Sequence, residues 1–460
     1  MHIQTLCLLA CAAALGGCGA LTRTPYEAPA TALPARFEHA PAPAPAGQEI
    51  DDWWRAFGDP RLDAWVDLAM ARNPDLATAA IRVRRAALQA RLAGHALLPQ
   101  PSATASTGAS RPLSGSPRTT LETSNATLGV AWELDLFDRL GAQRDAAVFE
   151  AQASTEDRRA VALSLAATTA SLYWQLGLAN ERLEFARQSL DYARRTLDLV
   201  QAQYRSGAVS SLELREARQS LAEQQALWSQ YTQARTDLRQ ALAELFQAAP
   251  APGGEPLALP VSALPAIAPG LPAELLGRRP DLRAAELRLR AALAGSDAVT
   301  ARYYPTLSLT GNLGTSSTSL LDLLANPVAA LGANLSLPFL NLGEMRLSTA
   351  IAGTQYEEAV VQFRKSLYTA LADTEKALSA RTELARQEQA RQTALADATE
   401  VERLYEARYR AGQVALRPWL DAQERRRTAE LALSALHLEQ LQNQLTLYKA
   451  LGGGLHTPAP

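Results

Sequence analysis

The chain contains one sequence twice, and this duplication limits the folds open to it. The stretch RNPDLATAAIRVR at 72–84 returns as RRPDLRAAELRLR at 278–290. The two copies align at a constant shift with no gap, as shown by Arg72/Arg278, Pro74/Pro280, Asp75/Asp281, Leu76/Leu282, Pro99/Pro305 and Ser102/Ser308. Self-similarity at a fixed distance indicates a repeated structural unit. We therefore expect two halves with the same order of elements.

Each half begins with a helix, predicted over about 61–98 and 272–304. Pro99 and Pro305 end these helices, because proline cannot continue the backbone hydrogen-bond ladder. Segments that alternate between apolar and polar residues follow, as in Leu128, Val130 and Trp132 against Thr127, Gly129 and Ala131. This period of two predicts β-strands. The four predicted strands are 101–110, 126–137, 307–315 and 331–339.

Long helices come next in both halves, over about 142–206 and 344–411, and each is followed by a return helix, 211–249 or 416–451. In the first, leucines recur every seven residues, and Ala179, Ala186, Ala193 and Val200 follow the same spacing three places later. This is a heptad pattern with a layer of small residues, which lets a partner helix approach closely. A helix of about 65 residues is about 97 Å long. The two long helical hairpins are therefore too long for one compact domain.

Four strands are too few for a closed barrel, because about eight are needed. An open sheet in lipid would leave unpaired backbone groups that each cost several kcal/mol. We therefore expect several copies of the chain to contribute strands to one barrel with an apolar outer face and a polar inner face. The alternative is a soluble sandwich with one buried face.

The N-terminus has the pattern of a bacterial secretion signal. Residues 3–15 are apolar, and Leu15-Gly16-Gly17-Cys18 resembles the lipobox, in which the cysteine becomes acylated. We expect a signal peptide over 1–17 and an anchor with a Pro/Ala-rich tether over 18–60 that leads away from the folded body. The alternative is an ordinary signal with an incidental cysteine. The other expected divisions are a first repeat (61–249), a Pro-rich linker (250–272), a second repeat (273–454) and a tail (455–460).

Composition and motifs argue against several functions. The chain has 45 basic and 47 acidic residues, so charge gives no reason to expect nucleic-acid binding. Cys7, Cys11 and Cys18 are the only cysteines, and the five histidines are scattered without metal-ligand spacing. No nucleophile elbow or phosphate loop is present. We expect no enzyme activity, no cofactor apart from lipid on Cys18, and no metal.

Several stretches resemble those of one known family. They include WWRAFGDPRLDAWVDLAMARNPDL at 53–76, WELDLFDRLGAQRDAA at 132–147, LLGRRPDLRAAELRLRAA at 275–292, YYPTLSLTG at 303–311, RYRAGQVALRPWLDAQ at 408–423 and LYKALGGGL at 447–455. With LGGC at 15–18, they cover almost the whole mature chain. The chain resembles TolC-like outer-membrane efflux factors, in the lipoprotein branch that includes NodT-type proteins of resistance-nodulation-division (RND) pumps.

The resemblance implies a mainly α, internally duplicated fold that works as a homotrimer. Three chains would form a twelve-stranded barrel in the outer membrane and an α-helical barrel in the periplasm. It implies a passive exit duct for small toxic compounds, lipid-anchored in the outer membrane and served by a periplasmic adaptor and an inner-membrane RND transporter. The adaptor would dock at the hairpin tips, Arg205, Ser206, Gly207, Arg410, Ala411 and Gly412.

The resemblance also implies a periplasmic gate after the second tip. Asp421 lies where family members carry an aspartate near the constriction, and Arg417 and Glu424 lie one turn away on either side. Copies around an axis would form a carboxylate ring that attracts cations. The alternative is a surface ion pair between Asp421 and Arg425, spaced i,i+4.

Two other functions stay open at this point. The same architecture would serve as the outer-membrane duct of a type I polypeptide secretion system. A coiled-coil lipoprotein that spans the periplasm without a pore is the third possibility, and it predicts no channel conductance.

Overall fold

The structure is a computed structural model that describes residues 22–40, 52–114, 120–248, 253–260, 263–267, 270, 272–318 and 327–453. The expected signal peptide, the Cys18 acylation site and the 455–460 tail lie outside these residues. The chain divides into two compact units. Unit 1 comprises Met1–Thr31, Ile81–Glu156 and Arg283–Ser366, and unit 2 comprises Ala32–Ala80, Asp157–Leu282 and Leu367–Pro460.

Unit 1 contains one antiparallel sheet. Its strands are β1 (Gln100–Ser110), β2 (Leu121–Leu134), β3 (Thr306–Ser317) and β4 (Pro327–Ser336), and they pair in the order β1-β2-β3-β4. The four predicted strands are confirmed in number, although β2 begins at Leu121 and ends at Leu134 instead of covering 126–137. The predicted extension of the last strand through Phe339 is wrong, because Pro338 lacks an N–H and a 3₁₀ turn at Pro338–Leu340 replaces the strand.

The helices before the strands are each broken once. The first half has α1 (Pro60–Arg72) and α2 (Pro74–His95), and the second has α5 (Leu275–Arg278) and α6 (Pro280–Ala301). The predictions of continuous helices over 61–98 and 272–304 are therefore wrong at Pro74 and Pro280. A residue before proline is pushed out of the helical region, and Asn73 is extended (ψ 127°). Its side chain accepts the backbone N–H of Asp75 at 2.9 Å.

The long helices form as predicted. They are α3 (Arg139–Arg205) with its return helix α4 (Ser211–Leu245), and α7 (Leu342–Arg410) with α8 (Leu416–Ala450). Ala179, Ala186, Ala193 and Val200 are all buried, so the small-residue layer of the heptad pattern is confirmed. No helix in the described part of the chain has an apolar stretch suited to crossing a membrane.

Aromatic side chains are concentrated in the core of unit 2. Trp53 stacks on Tyr448 at 5.0 Å between ring centroids, and Trp65 meets Phe246 edge-on at 5.6 Å. Trp174 is also buried. Such pairs contribute about 0.5–1.5 kcal/mol beyond the burial of their area. Residues 53–57, expected in a tether, therefore belong to the folded body.

The described N-terminal residues also differ from a free tether. Residues 22–40 form neither helix nor strand, as the Pro/Ala-rich composition predicts. In unit 1, however, Thr24 binds the Asp297 carboxylate. In unit 2 the backbone N–H of Glu38 donates to Glu375 at 2.6 Å. Hydrogen bonds to Asp297 and Glu375 hold this segment to the folded body, and composition alone does not predict these bonds.

Candidate functional site

The sheet of unit 1 has one polar and one apolar face. Ser102, Gly129 and Asn312 lie in one cross-strand row. A Cβ at Gly129 would lie 2.8 Å from Asn312 Oδ1 and 2.9 Å from Ser102 Oγ, so the two polar side chains close over the glycine. Glu133, Ser308 and Asn334 form a second polar row. This face carries hydroxyl and amide groups, and its Glu133 carboxylate accepts from Arg139 at 2.7 Å.

The opposite face carries uncovered leucines. Leu128 is opposite Leu313, and the two side chains are 61% and 53% exposed. Leu331, opposite Gly311, is 94% exposed. A continuous apolar surface of this kind is unusual on a soluble protein. Within the described residues, β1 and β4 each pair with only one neighbouring strand, so both edges of the sheet retain free hydrogen-bonding groups.

The hairpin tips have the same turn geometry in both repeats. Gly207 and Gly412 adopt left-handed φ values of 75° and 71°, which glycine tolerates without strain. The N–H of Ala208 donates to Gln203 O and that of Gln413 to Arg408 O. Together with the bonds from Gly207 and Gly412 themselves, these are Schellman motifs, which satisfy the last carbonyls of α3 and α7.

The return helices begin differently. Ser210 forms a capping box with Glu213 at the start of α4, whereas Ala415 provides no side-chain cap at the start of α8. Position N3 of α8 is Pro418, which has no N–H to offer a cap. The start of α8, where the predicted gate residues lie, therefore has fewer local hydrogen bonds.

The three predicted gate residues lie in the first turns of α8 and carry ion pairs. Arg417 Nε donates to Asp421 Oδ1 at 2.9 Å, and Arg427 donates to Glu424 at 2.6 Å. Asp421 thus pairs with Arg417 instead of Arg425, which the sequence offered as its partner. The Arg417 and Asp421 side chains are both largely exposed, so the pair remains accessible to another chain.

An aromatic cluster that the sequence analysis missed lies beside the gate residues. Trp419 is buried, stacks on Tyr409 at 5.0 Å and meets Tyr192 edge-on at 6.1 Å. The Tyr409 hydroxyl donates to Gln203 Oε1 at 2.8 Å and thereby links the two hairpins. The sequence signal for this cluster was the Tyr-Arg-x-Gly stretch, which occurs at 204–207 and again at 409–412. It did not separate the buried Tyr409 from its exposed counterpart Tyr204.

Charged groups surround this cluster. Arg426 binds Glu402 on α7 and, at 2.8 Å, Glu430 on its own helix. Burial lowers the pKa of Arg426, but the two carboxylates outweigh burial and the pKa is raised. Burial, with the nearby charges of Glu406 and Glu402, raises the pKa of Tyr192 to about 12. These groups fix how α7 and α8 pack below the tip.

The described residues contain no group of three His, Cys, Asp or Glu side chains arranged to hold a metal ion. Two features of the described residues bear on function. One is the two-faced sheet, and the other is the set of charged and aromatic side chains at the hairpin ends. A two-faced sheet can separate water from an apolar phase. The paired charges can form and break contacts between helices.

Comparison with known proteins identifies relatives over the whole chain. The profile of the family described as outer membrane efflux protein matches residues 65–249 and 271–453. The pyoverdine export outer membrane protein OpmQ of Pseudomonas putida is 34% identical, over 99% of this chain and 98% of its own length. The toluene efflux pump outer membrane protein TtgC of Pseudomonas putida is 30% identical, over 99% of this chain and 96% of its own length.

Solved structures have the same fold. The MtrE outer membrane channel of Neisseria gonorrhoeae, in its open state, superposes with a TM-score of 0.82 at 30% identity, over 94% of this chain and 98% of that one. CusC, whose structures concern folding and transmembrane channel formation, superposes with a TM-score of 0.84 at 27% identity, over 94% of this chain and 99% of that one.

Proposed function

Because this chain belongs to the outer membrane efflux protein family, we propose that three copies assemble into one continuous duct. The chain itself is an outer-membrane component of an efflux system and acts as its exit duct. Each copy contributes four strands to a twelve-stranded barrel and two long helical hairpins to an α-helical barrel. The duct is passive, with no catalytic step and no cofactor.

The two-faced sheet with open edges is the observation that carries this proposal. Its leucine face suits lipid hydrocarbon, and its Ser/Thr/Asn face suits a water-filled lumen. In a membrane, the unpaired groups of β1 and β4 need partners. A neighbouring copy supplies them, because β4 of one chain can pair with β1 of the next.

Exposed apolar stripes on the helices of unit 1 support assembly of several copies. Leu347, Ile351 and Val361 on α7 are 57–68% exposed, and their separations of four and ten residues place them on one side of the helix. Ile81, Leu88 and Leu92 on α2 are 54–73% exposed. Stripes of this kind pack against other helices. We assign them to contacts between neighbouring copies.

The hairpin ends are where we place the partners. A periplasmic adaptor docks at Arg205–Gly207 and at 410–412, and it links the duct to an inner-membrane RND transporter. Arg417, Asp421 and Glu424 form the gate, and their ion pairs exchange between copies as it opens. Acylation of Cys18 adds the lipid anchor. The relatives' names point to small organic compounds as the exported class.

Conductance in planar bilayers tests the proposal with a matched pair of variants. Wild type should form ion-conducting channels. Leu331→Arg should abolish insertion, because an arginine on the lipid face costs about 2–4 kcal/mol at the midplane. Asn334→Arg, on the other face of β4, should still insert and should alter ion selectivity. Absence of conductance from wild type would favour a structural lipoprotein. Equal behaviour of the two variants would contradict the assigned faces.

A further inference from the structure

Unit 2 contains a cavity of about 680 Å³ between four of its helical segments. Residues of α3, of the start of α6, of α7 and of the last turns of α8 form its wall. The volume lies within the range of about 300–1,000 Å³ that is usual for small-molecule sites. The side chains that α3 and α7 present to the cavity are mostly too small to fill it, and they include Ala160, Ser164, Ala377 and Ala380.

Two of the three lysines of the chain line this cavity. Lys376 belongs to α7 and Lys449 to α8, whereas the third, Lys365, is not part of the wall. Within the described residues, neither of the two ammonium groups is paired with a carboxylate. A lysine ammonium is a compact charge with three hydrogen-bond donors. The cavity therefore offers two cationic groups, from neighbouring helices, to a ligand.

The third cation of the wall, Arg279, has a structural role. Its guanidinium donates to both Asp281 oxygens at 3.0 and 2.7 Å and to Ala450 O at 3.2 Å, and its side chain is only 11% exposed. Burial raises the pKa of Asp281, but the hydrogen bonds and charge of Arg279 outweigh burial and lower the pKa. This pair joins the start of α6 to the end of α8, so it fixes the wall and leaves the lysines as the available cations.

The remaining charged group of the wall is Asp373, which lies one turn before Lys376 on α7. Its carboxylate has no ion pair with another described residue. With the two lysines it leaves the unpaired groups with an excess of positive charge. A carboxylate repels an anion, but it accepts a hydrogen bond from a hydroxyl group. The wall therefore suits a ligand that has an anionic group at one end and a hydroxyl group at the other.

We propose that this cavity binds a small phosphate ester that carries a free hydroxyl group. A phosphate group has a charge of about −1.5 to −2 at pH 7 and several acceptor oxygens, so it can bridge Lys376 and Lys449. The hydroxyl group of the ester donates to Asp373, and Leu163 contacts its carbon atoms. The bound ester links α7 to α8 and stabilises the folded chain. The site does not depend on the proposed duct.

Isothermal titration calorimetry of the full-length protein in detergent, at low ionic strength, tests the proposal with glycerol 3-phosphate as the probe. Wild type should bind one molecule per chain. Combining Lys376→Gln with Lys449→Gln should weaken binding at least about tenfold, because charged hydrogen bonds are lost. Lys365→Gln is the matched control and should bind as wild type does, because Lys365 is an exposed lysine of the same helix outside the cavity.

Two further variants test the cavity and its carboxylate. Ala380→Leu fills space without changing charge, so it should also weaken binding of glycerol 3-phosphate. Asp373→Asn removes a repelling charge, so it should tighten binding of inorganic phosphate and reduce the preference for the ester. In wild type, inorganic phosphate should bind more weakly than glycerol 3-phosphate, and glycerol should not bind.

Several results would overturn the proposal. They are absence of binding to wild type, equal affinity in wild type and the double lysine variant, and equal weakening by Lys365→Gln. Full affinity in Ala380→Leu would show a cationic surface patch instead of a cavity site. Thermal unfolding followed by circular dichroism confirms that each variant is folded. The two single lysine variants replace the double variant if it does not fold.

Discussion

Gly177 shows how a single residue fixes the path of the linker between the two repeats. A Cβ there would lie 2.9 Å from the backbone oxygen of Ala258, and Glu255 in the same linker binds Arg235 and Arg239 at 2.8 and 2.9 Å. Gly177→Ala should therefore lower the free energy of unfolding by about 1–3 kcal/mol, because backbone cannot move aside easily.

Thermal unfolding followed by circular dichroism measures this effect. Gly277→Ala is the control, because a Cβ at Gly277 would meet nothing within 4 Å. Its melting temperature should stay equal or rise. Equal melting temperatures for the two variants would mean that the linker does not press on α3 at Gly177.

Asp421 is the residue through which we expect the gate to respond. In the proposed gate, Asp421 contacts a neighbouring copy when the duct is closed, so Asp421→Asn, which also removes the partner of Arg417, should raise bilayer conductance severalfold. Glu383→Gln, which removes another exposed pair (Arg386–Glu383, 2.7 Å), should leave conductance unchanged because this pair lies outside the proposed gate. A similar rise in both variants would assign the effect to general loss of charge.

Tyr192 gives a prediction for alkaline pH. Its pKa is raised to about 12 from an ordinary 10.0, so above 10 the unfolded chain loses this proton while the folded chain keeps it. The resulting stabilisation is complete below pH 10 and is lost as pH rises to about 12. Tyr192→Phe should remove one late-ionising group from the tyrosinate absorbance titration. Loss of a group that titrates near 10.0 in the folded protein would contradict the burial of Tyr192.

Single residues differed in how far the sequence identified them. Asp421 was named from its position after Gly412, but its partner was not, because Arg417 and Arg425 are equally spaced from it. Trp419 was missed, since an aromatic residue in a first helical turn looks the same whether exposed or buried. Its burial depends on Tyr192 of the other hairpin, a contact across a long sequence distance.

At the scale of elements, the two return helices should differ in stability at their starts. Ser210→Ala removes the capping box of α4 and should cost about 0.5–2 kcal/mol. Ala415→Ser should add less to α8, because Pro418 gives the new hydroxyl no N3 donor. Hydrogen exchange over the first turn of each helix measures both changes. If Ala415→Ser stabilised the start of α8 as much as Ser210→Ala destabilised the start of α4, Pro418 would not limit capping.

Elements with strong periodicity were predicted well, and their boundaries were set by local chemistry. Heptads and alternation located the four long helices and four strands to within a few residues at most ends. The breaks at Pro74 and Pro280 were missed because the apolar pattern continues across them. The helical conformation does not, since the residue before each proline is extended. The contacts of Thr24 and Glu38 with the folded body were missed because they involve polar groups far apart in the sequence.

At the scale of the whole molecule, the duplication explains why one sheet contains both repeats. β2 of the first half pairs with β3 of the second, with Leu128 opposite Leu313. The second strand of the first half thus lies beside the first strand of the second half in one sheet. The sequence predicted that four strands need further copies, but the edges of β1 and β4 had to be located in the fold before the joining strands could be named.

The account depends most on the claim that several chains share one barrel. Native mass spectrometry of the acylated protein, released from detergent micelles, tests it most directly. We predict a complex of three chains that persists in wild type and is weakened by Leu347→Glu, on the exposed stripe of α7. A species containing a single chain under the same conditions, with the sheet intact by circular dichroism, would contradict the account.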